Sequence, residues 1–375
     1  DISETYDIEG DVLGEGIQGV VRTITHRTTG VKYAMKTVPF GVGKASRSAM
    51  KQLRSEVDLI RRLDHPNIVR LQEVFETEES LFLVMDLCTG GDMMTRWENN
   101  RRLRYSEHEA AQTTKKIVSA IRYCHKHHVV HRDIKLENIL WEHPGPDAEP
   151  QLVDFGLGVA FLDDKEVFKE DVGSLYYVAP EVLGRNYTKA CDCWSIGVIS
   201  YMLLSGMPPF LAPTDEGVKL KIKWAKVGFA KEIWGEVSED AKDFVKRLLV
   251  RAPNKRMTAE EASAHPWLTM RRPSNGNGAA MAVVRQPTGI VDRTDDHPTD
   301  KALDPSLVRR LEKFENYGAL KRVAFGVIAH SLSPEEIRIL RAEFQKVDVE
   351  GRGEIRPRDL EIALKSSGNY STEKV

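Results

Sequence analysis

Between residues 131 and 138 the chain reads His131-Arg-Asp-Ile-Lys-Leu-Glu-Asn138, which sets an acid at Asp133, a base at Lys135 and an amide at Asn138. Leu152-Val-Asp-Phe-Gly156 follows and adds a second acid, Asp154, two residues ahead of a glycine. Two separated carboxylates, a lysine and an asparagine suit magnesium-dependent phosphoryl transfer. One acid orients a hydroxyl, the other holds the metal together with the amide, and the lysine neutralises phosphate charge. Either motif alone would pass for a polar loop between two strands. Together, in this order, they are a specific signal.

Composition narrows the setting. A chain of 375 residues has room for two or three domains, one of them large. Hydrophobic residues at 41% and charged residues at 29% are ordinary for a soluble globular protein. A net charge of −2 argues against nucleic-acid binding through bulk positive charge, so no nucleic-acid partner is expected. Four cysteines in so long a chain do not form a disulfide framework, and Cys191-Asp-Cys193 lacks zinc-ligand spacing. Free thiols in a reducing, cytoplasmic compartment are expected. The longest apolar run, 196–204, is far short of a membrane span, so no transmembrane segment is expected. The chain opens at Asp1 without a Met, as a fragment would. Membrane association is then expected only through an N-terminal lipid outside these residues.

The pairing of 131–138 with 152–156 resembles the protein kinases. Leu13-Gly-Glu-Gly-Ile-Gln-Gly-Val-Val21 lies between two β-rich runs, 6–12 and 20–25. Its glycines let backbone amides press against phosphates. A strand follows it rather than a helix, which favours a kinase phosphate loop over a dinucleotide-binding turn. Gln18 departs from the family, which usually carries an aromatic at this tip. The resemblance implies an ATP site formed by Leu13, Gly14, Glu15, Gly16, Ile17, Gln18, Gly19, Val20 and Val21 with Ala34 and Lys36. Lys36 would grip the α- and β-phosphates, and Glu56, on a helix with Val57, Ile60 and Leu63 on its apolar face, would hold Lys36. Met85 would be the gatekeeper, Asp86 to Cys88 the adenine hinge, and Asp92 an acid facing the ribose.

The same resemblance gives Asp133 the role of base, Asp154 and Asn138 the magnesium ion, and Lys135 the transferred phosphate. Lys135 and the Gly173-Ser174 pair point to serine and threonine substrates rather than tyrosine. Asp92 and Glu137 stand where relatives meet arginines, which implies protein substrates with an Arg-x-x-Ser/Thr pattern. Between Asp154 and Ala179-Pro-Glu181 the sole Ser or Thr is Ser174, while Asp163, Asp164, Glu166, Glu170 and Asp171 supply carboxylates. Fixed acids could pair with Arg132 in place of an activating phosphate. His127-His128 do not share a helix face, and no metal site is expected there. Asp192, the Glu181–Arg256 pair and His265-Pro-Trp267 complete a kinase domain over residues 6–268. The expected fold is α+β and bilobal, with an antiparallel β N-lobe and a mainly α C-lobe.

Residues 269–303 read as a linker. Residues 304–331 follow as a basic amphipathic helix that opens at Asp304-Pro305. Leu307, Leu311 and Phe314 lie on its apolar side, with Arg309, Arg310 and Lys313 on its polar side. It resembles calmodulin targets and autoinhibitory segments, and a core helix or a membrane-surface helix stays open. Residues 333–368 outline an EF-hand-like unit: Ser333-Pro-Glu-Glu336 caps a helix, and the loop runs from Asp348 to Asp359. Asp348, Glu350, Glu354 and Asp359 occupy positions 1, 3, 7 and 12 of that loop, with Gly353 at 6. Arg352 at position 5, Arg356 at 9 and the short Asp359 make it a weak or lost calcium site. The order kinase, basic helix, EF-hand is similar to that of the calcium-dependent protein kinases of plants and protists. It implies Ca2+ as a regulator acting through partner hands beyond this chain, with an intramolecular EF-hand or calmodulin-like module on the junction helix. Alternatives are a calmodulin-regulated kinase with a relic EF loop, or a pseudokinase scaffold.

Overall fold

The computed structural model describes residues 2–8, 10–16, 19–40, 54, 57–58, 60–61, 63–99, 105–155, 159–161, 163, 166–170 and 172–269. It also describes 344, 347–348, 353, 355–356, 358–359 and 362. The junction helix expected over 304–331 lies outside these residues.

A helical turn, α1 (Ile2–Thr5), leads into the first strands: β1 (Tyr6–Asp7), β2 (Val12–Gly16), β3 (Gly19–His26) and β4 (Lys32–Pro39). β5 (Leu71–Glu76) and β6 (Ser80–Asp86) finish an antiparallel sheet in the order β1-β3-β4-β6-β5, with β2 on β3. Alternation of Ile24, Met35 and Val84 puts them on one buried face, with Tyr6 packed edge-on against His26, Tyr33 and Phe75. The other face buries Val57, Leu81 and Leu83. Gly16 pairs Gly19 where β2 turns into β3, and Gly19 has a φ of 119°. A Cβ at Gly19 would fall 1.9 Å from the Thr37 carbonyl, so this position of the glycine-rich loop admits no side chain.

The second lobe is mainly helical. α2 (Met93–Asn99) and α3 (Glu107–Lys126) come first, then the short strands β7 (Val129–Val130), β8 (Ile139–Trp141), β9 (Pro150–Leu152) and β10 (Val159–Ala160). α4 (Ala190–Ser205), α5 (Asp215–Trp224), α6 (Lys231–Trp234), α7 (Glu239–Leu248), α8 (Ala259–Ser263) and α9 (Pro266–Thr269) complete it. α3 begins with a reciprocal capping box between Ser106 and Glu109. α4 is buried from Cys191 to Ser205, so the other helices pack around it on every side. Trp194 stacks on Phe210 at 5.4 Å, and the Arg256 guanidinium lies over the Trp194 ring at 5.1 Å.

Two seams join the lobes. Val69 N–H donates to the Leu152 carbonyl at 3.0 Å and Leu152 N–H to Asn67 at 2.9 Å. After β6, Thr89 and Gly90 N–H groups donate to Glu142 and Trp141 carbonyls. The β8–β9 hairpin is therefore tied to both lobes, and it carries Asn138 at one end and Asp154 just past the other. Among the described residues no helix is long and apolar enough to cross a membrane.

Candidate active site

The loop after β7 is set by one buried acid. Asp192, at the start of α4, is 1% exposed; its Oδ2 accepts His131 N–H at 3.0 Å and its Oδ1 accepts Arg132 N–H at 2.9 Å. His125 Nε2 lies 2.8 Å from Oδ2. Burial alone would raise the Asp192 carboxyl, but the His125 hydrogen bond and the amide of His131 outweigh it and hold it low. This acid keeps Arg132 at a φ of 69°, a left-handed conformation that a residue with a side chain resists by roughly 1–2 kcal/mol. Burial pushes His131 below its ordinary value and keeps it neutral. Its Nδ1 accepts Asp133 N–H, so Nε2 bears the proton and donates to the Val153 carbonyl at 3.1 Å.

Asp133 receives hydrogen bonds from three side chains. Asn138 Nδ2 donates to Oδ2 at 3.0 Å and to the Asp133 carbonyl at 2.8 Å. Lys135 Nζ lies 2.9 Å from Oδ2, and Ser174 Oγ donates to Oδ1 at 3.1 Å. Lys135 also donates to Ser174 Oγ at 3.1 Å, which closes a ring of Asp133, Lys135 and Ser174, with Asn138 joined to it through Asp133. An acceptor facing so many donors is a carboxylate, poised to take a hydrogen bond from an incoming hydroxyl. With its NH2 committed to Asp133, Asn138 has its amide oxygen as the atom to meet a cation.

Asp154 has a φ of 60° and pairs with Lys36 Nζ at 2.7 Å. Lys36 thus reaches across from β4 to the second lobe. Glu56, its expected partner, lies outside the described residues, as do Ile17 and Gln18 of the glycine-rich loop. Leu13, Gly14 and Glu15 are exposed along β2, and Val20 and Val21 face them from β3. Ala34 is buried and stands opposite Met85 between β4 and β6. One carboxylate and one amide oxygen, set at the ends of the paired strands β8 and β9, are hard donors, and they fit a magnesium ion whose remaining ligands come from phosphate and water. No group of three or more His, Cys, Asp or Glu suited to a metal occurs among the described residues. His127 Nδ1 donates to the Tyr123 carbonyl at 2.9 Å, and its ring lies 4.1 Å from the Tyr123 ring.

Several side chains have jobs that the sequence did not announce. Asp92 caps α2: Oδ1 accepts Thr95 N–H and Oδ2 accepts Thr95 Oγ, both at 2.7 Å. Asp86 accepts from Gln72 at 2.7 Å, and Cys88 is half-buried and in no disulfide. Glu137 takes a hydrogen bond from Tyr177, whose phenol is pushed up first by burial and then by that carboxylate. Of the acids between Asp154 and Glu181, Glu170 meets Arg132, at 3.1 Å, and Tyr187 Oη shares the same guanidinium nitrogen at 3.3 Å. Glu170 is held below its ordinary value by its own backbone N–H and then, against a burial cost, by Arg132. Phe168 and Tyr187 exchange backbone hydrogen bonds beneath this contact. Arg256, with a fully buried side chain, grips Glu181 at 2.5 and 2.9 Å.

A model of the protein kinase domain matches residues 8–268. Over 365 residues the chain is 39% identical to calcium-dependent protein kinase 12 of Arabidopsis thaliana, covering 97% of this chain and 69% of that protein. It is 37% identical over 369 residues to calcium-dependent protein kinase 7 of Oryza sativa subsp. japonica, covering 98% of this chain and 63% of that protein. Calcium-dependent protein kinase 1 of the same rice is 37% identical over 374 residues, covering 100% of this chain and 67% of that protein. The chain thus spans about two thirds of the length of these relatives.

Proposed function

This chain belongs to the calcium-dependent protein kinase family, and on that premise we propose how its own residues move a phosphoryl group. It is a serine/threonine protein kinase. The observation that carries the mechanism is the cluster of Asn138, Lys135 and Ser174 around the Asp133 carboxylate, every contact within 3.1 Å. Asp133 accepts the hydrogen bond of a substrate serine or threonine hydroxyl, aligns its oxygen with the γ-phosphate of ATP, and takes the proton at a carboxylate oxygen as the new O–P bond forms and the γ-phosphorus parts from the β–γ bridging oxygen, releasing ADP. Lys135 lies beside that oxygen and offsets the negative charge that gathers there. Lys36 leaves the Asp154 carboxylate for the α- and β-phosphates. Asp154 and the Asn138 amide oxygen would hold a magnesium ion, which when bound would neutralise charge on the phosphates.

Substrate choice follows from two acids at the cleft mouth. Asp92 and Glu137 are each held in place, by Thr95 and by Tyr177, and present carboxylates to arginines three residues before the acceptor. Calcium enters as regulator through the segment after residue 268, and the relatives' names carry the same property. Residence in a reducing, cytoplasmic compartment fits four cysteines that form no disulfide.

Phosphate transfer from Mg-ATP to an Arg-x-x-Ser peptide tests this reading, run beside a version ending at Arg272. A faster shortened enzyme is the predicted result, because the basic segment 304–331 then no longer competes with substrate. Absence of transfer in both would return the chain to the scaffold class.

A further inference from the structure

Far along the chain, the described residues of the EF-hand-like loop satisfy one another. Asp348 and Asp359, its first and twelfth positions, are 7% and 8% exposed. Asp348 Oδ2 accepts Gly353 N–H at 2.6 Å. Asp359 is held by Arg356: Oδ2 accepts Nε at 2.9 Å and the backbone N–H at 3.0 Å, and Oδ1 accepts Nη2 at 2.9 Å. In a calcium loop the twelfth residue gives both carboxylate oxygens to the ion. Here both oxygens face a guanidinium fork, the strongest geometry an arginine and a carboxylate adopt. A calcium ion would first have to displace a permanent cation from the same turn.

The loop also has a seat. Gly353 has a φ of 74°, and a Cβ there would fall 1.9 Å from His65 Nε2 and 2.3 Å from Cδ2. The glycine therefore rests on the edge of the His65 ring, where no side chain fits. His65 is 5% exposed and fixed at both nitrogens. Nδ1 accepts Asn67 N–H at 3.0 Å, so Nε2 carries the proton and donates to Ser119 Oγ on α3 at 2.9 Å. Two residues on, Asn67 and Ile68 pair with Leu152, in the hairpin that leads to Asp154. The loop is seated on the joint between the lobes.

We propose that the loop bounded by Asp348 and Asp359 is a calcium-independent docking element for the His65 turn. Arg356 stands in for the cation that would otherwise close the loop, and the closed loop places Gly353 on His65. This deepens the calcium reading of the tail and rests on it only for the loop's outline. Calcium control then enters elsewhere, and this loop is the fixed end of the tail.

The full chain tests the proposal by calcium titration calorimetry and by hydrogen exchange with calcium or with a chelator. The wild-type chain is expected to bind no calcium at this loop, and exchange over residues 63–69 to be equal in both conditions. Gly353→Val, which cannot seat on His65, is expected to speed exchange over 63–69 at least about tenfold. Arg356→Gln, which opens the loop without adding bulk at 353, is expected to do the same. The kinase melting midpoint should stay within about 2 °C in both. Unchanged exchange in both variants would overturn the docking. Calcium binding that Asp359→Asn abolishes would overturn the calcium independence while strengthening the calcium reading itself.

Discussion

Arg132 meets Glu170 at 3.1 Å, and the expectation is that this carboxylate does the work of an activating phosphate. A phosphate on this segment would carry a second ionisation near pH 6, and its charge would fall by half there. The Glu170 carboxyl, depressed by its own amide and by Arg132, behaves otherwise. A carboxyl held below its ordinary value contributes fully above the unfolded value, and loses that contribution only as pH falls through the lower folded value. The wild-type to Glu170→Gln ratio of kcat should therefore be flat between about pH 6 and 8. Because Glu170 is 61% exposed, the pair is worth little in water, and the loss on Glu170→Gln is expected at about three- to tenfold. A ratio that changes near pH 6 would point to a phosphorylated partner. At the cleft mouth, Glu137→Gln should raise KM for an Arg-x-x-Ser peptide by about 10- to 100-fold and leave a peptide lacking the arginine unaffected.

At the scale of elements, α4 is the element whose details matter most. Gly197 lies within it, where a Cβ would approach Leu248 Cβ to 2.8 Å and Leu249 Cδ2 to 2.9 Å. Gly197→Ala gains up to about 1 kcal/mol of helix propensity, but forcing two buried leucines aside costs about 1–3 kcal/mol. A net fall of a few degrees in the melting midpoint is expected by calorimetry. Arg256→Met leaves Glu181 buried and unpaired, and should cost about 3–5 kcal/mol. The strands around the glycine-rich loop were legible because a β-rich run on each side of it is a local signal. α4 was legible only as an apolar run, since a helix buried on all sides has no stripe to read. The Asp133–Lys135–Asn138–Ser174 cluster could be read from spacing together with the family's pattern. Which of five acids meets Arg132, the sharing of that arginine with Tyr187, and the capping role of Asp92 depend on how distant segments fold together.

Across the whole molecule, the site exists because two lobes meet along two backbone seams, with Lys36 supplied from one lobe and Asp133, Asn138 and Asp154 from the other. The described tail residues touch that same joint through Gly353 and His65. An active centre assembled this way is expected to work without a phosphate to order it, its chemistry resting on one carboxylate. The most direct measurement is phosphate transfer from Mg-ATP to an Arg-x-x-Ser peptide by protein shown phosphate-free by intact mass, compared with Asp133→Asn. Transfer by the phosphate-free wild type, falling by about 10²- to 10⁴-fold in Asp133→Asn, is the predicted result. Equal rates in the two proteins, or transfer that appears only once phosphate is found between residues 154 and 181, would contradict it.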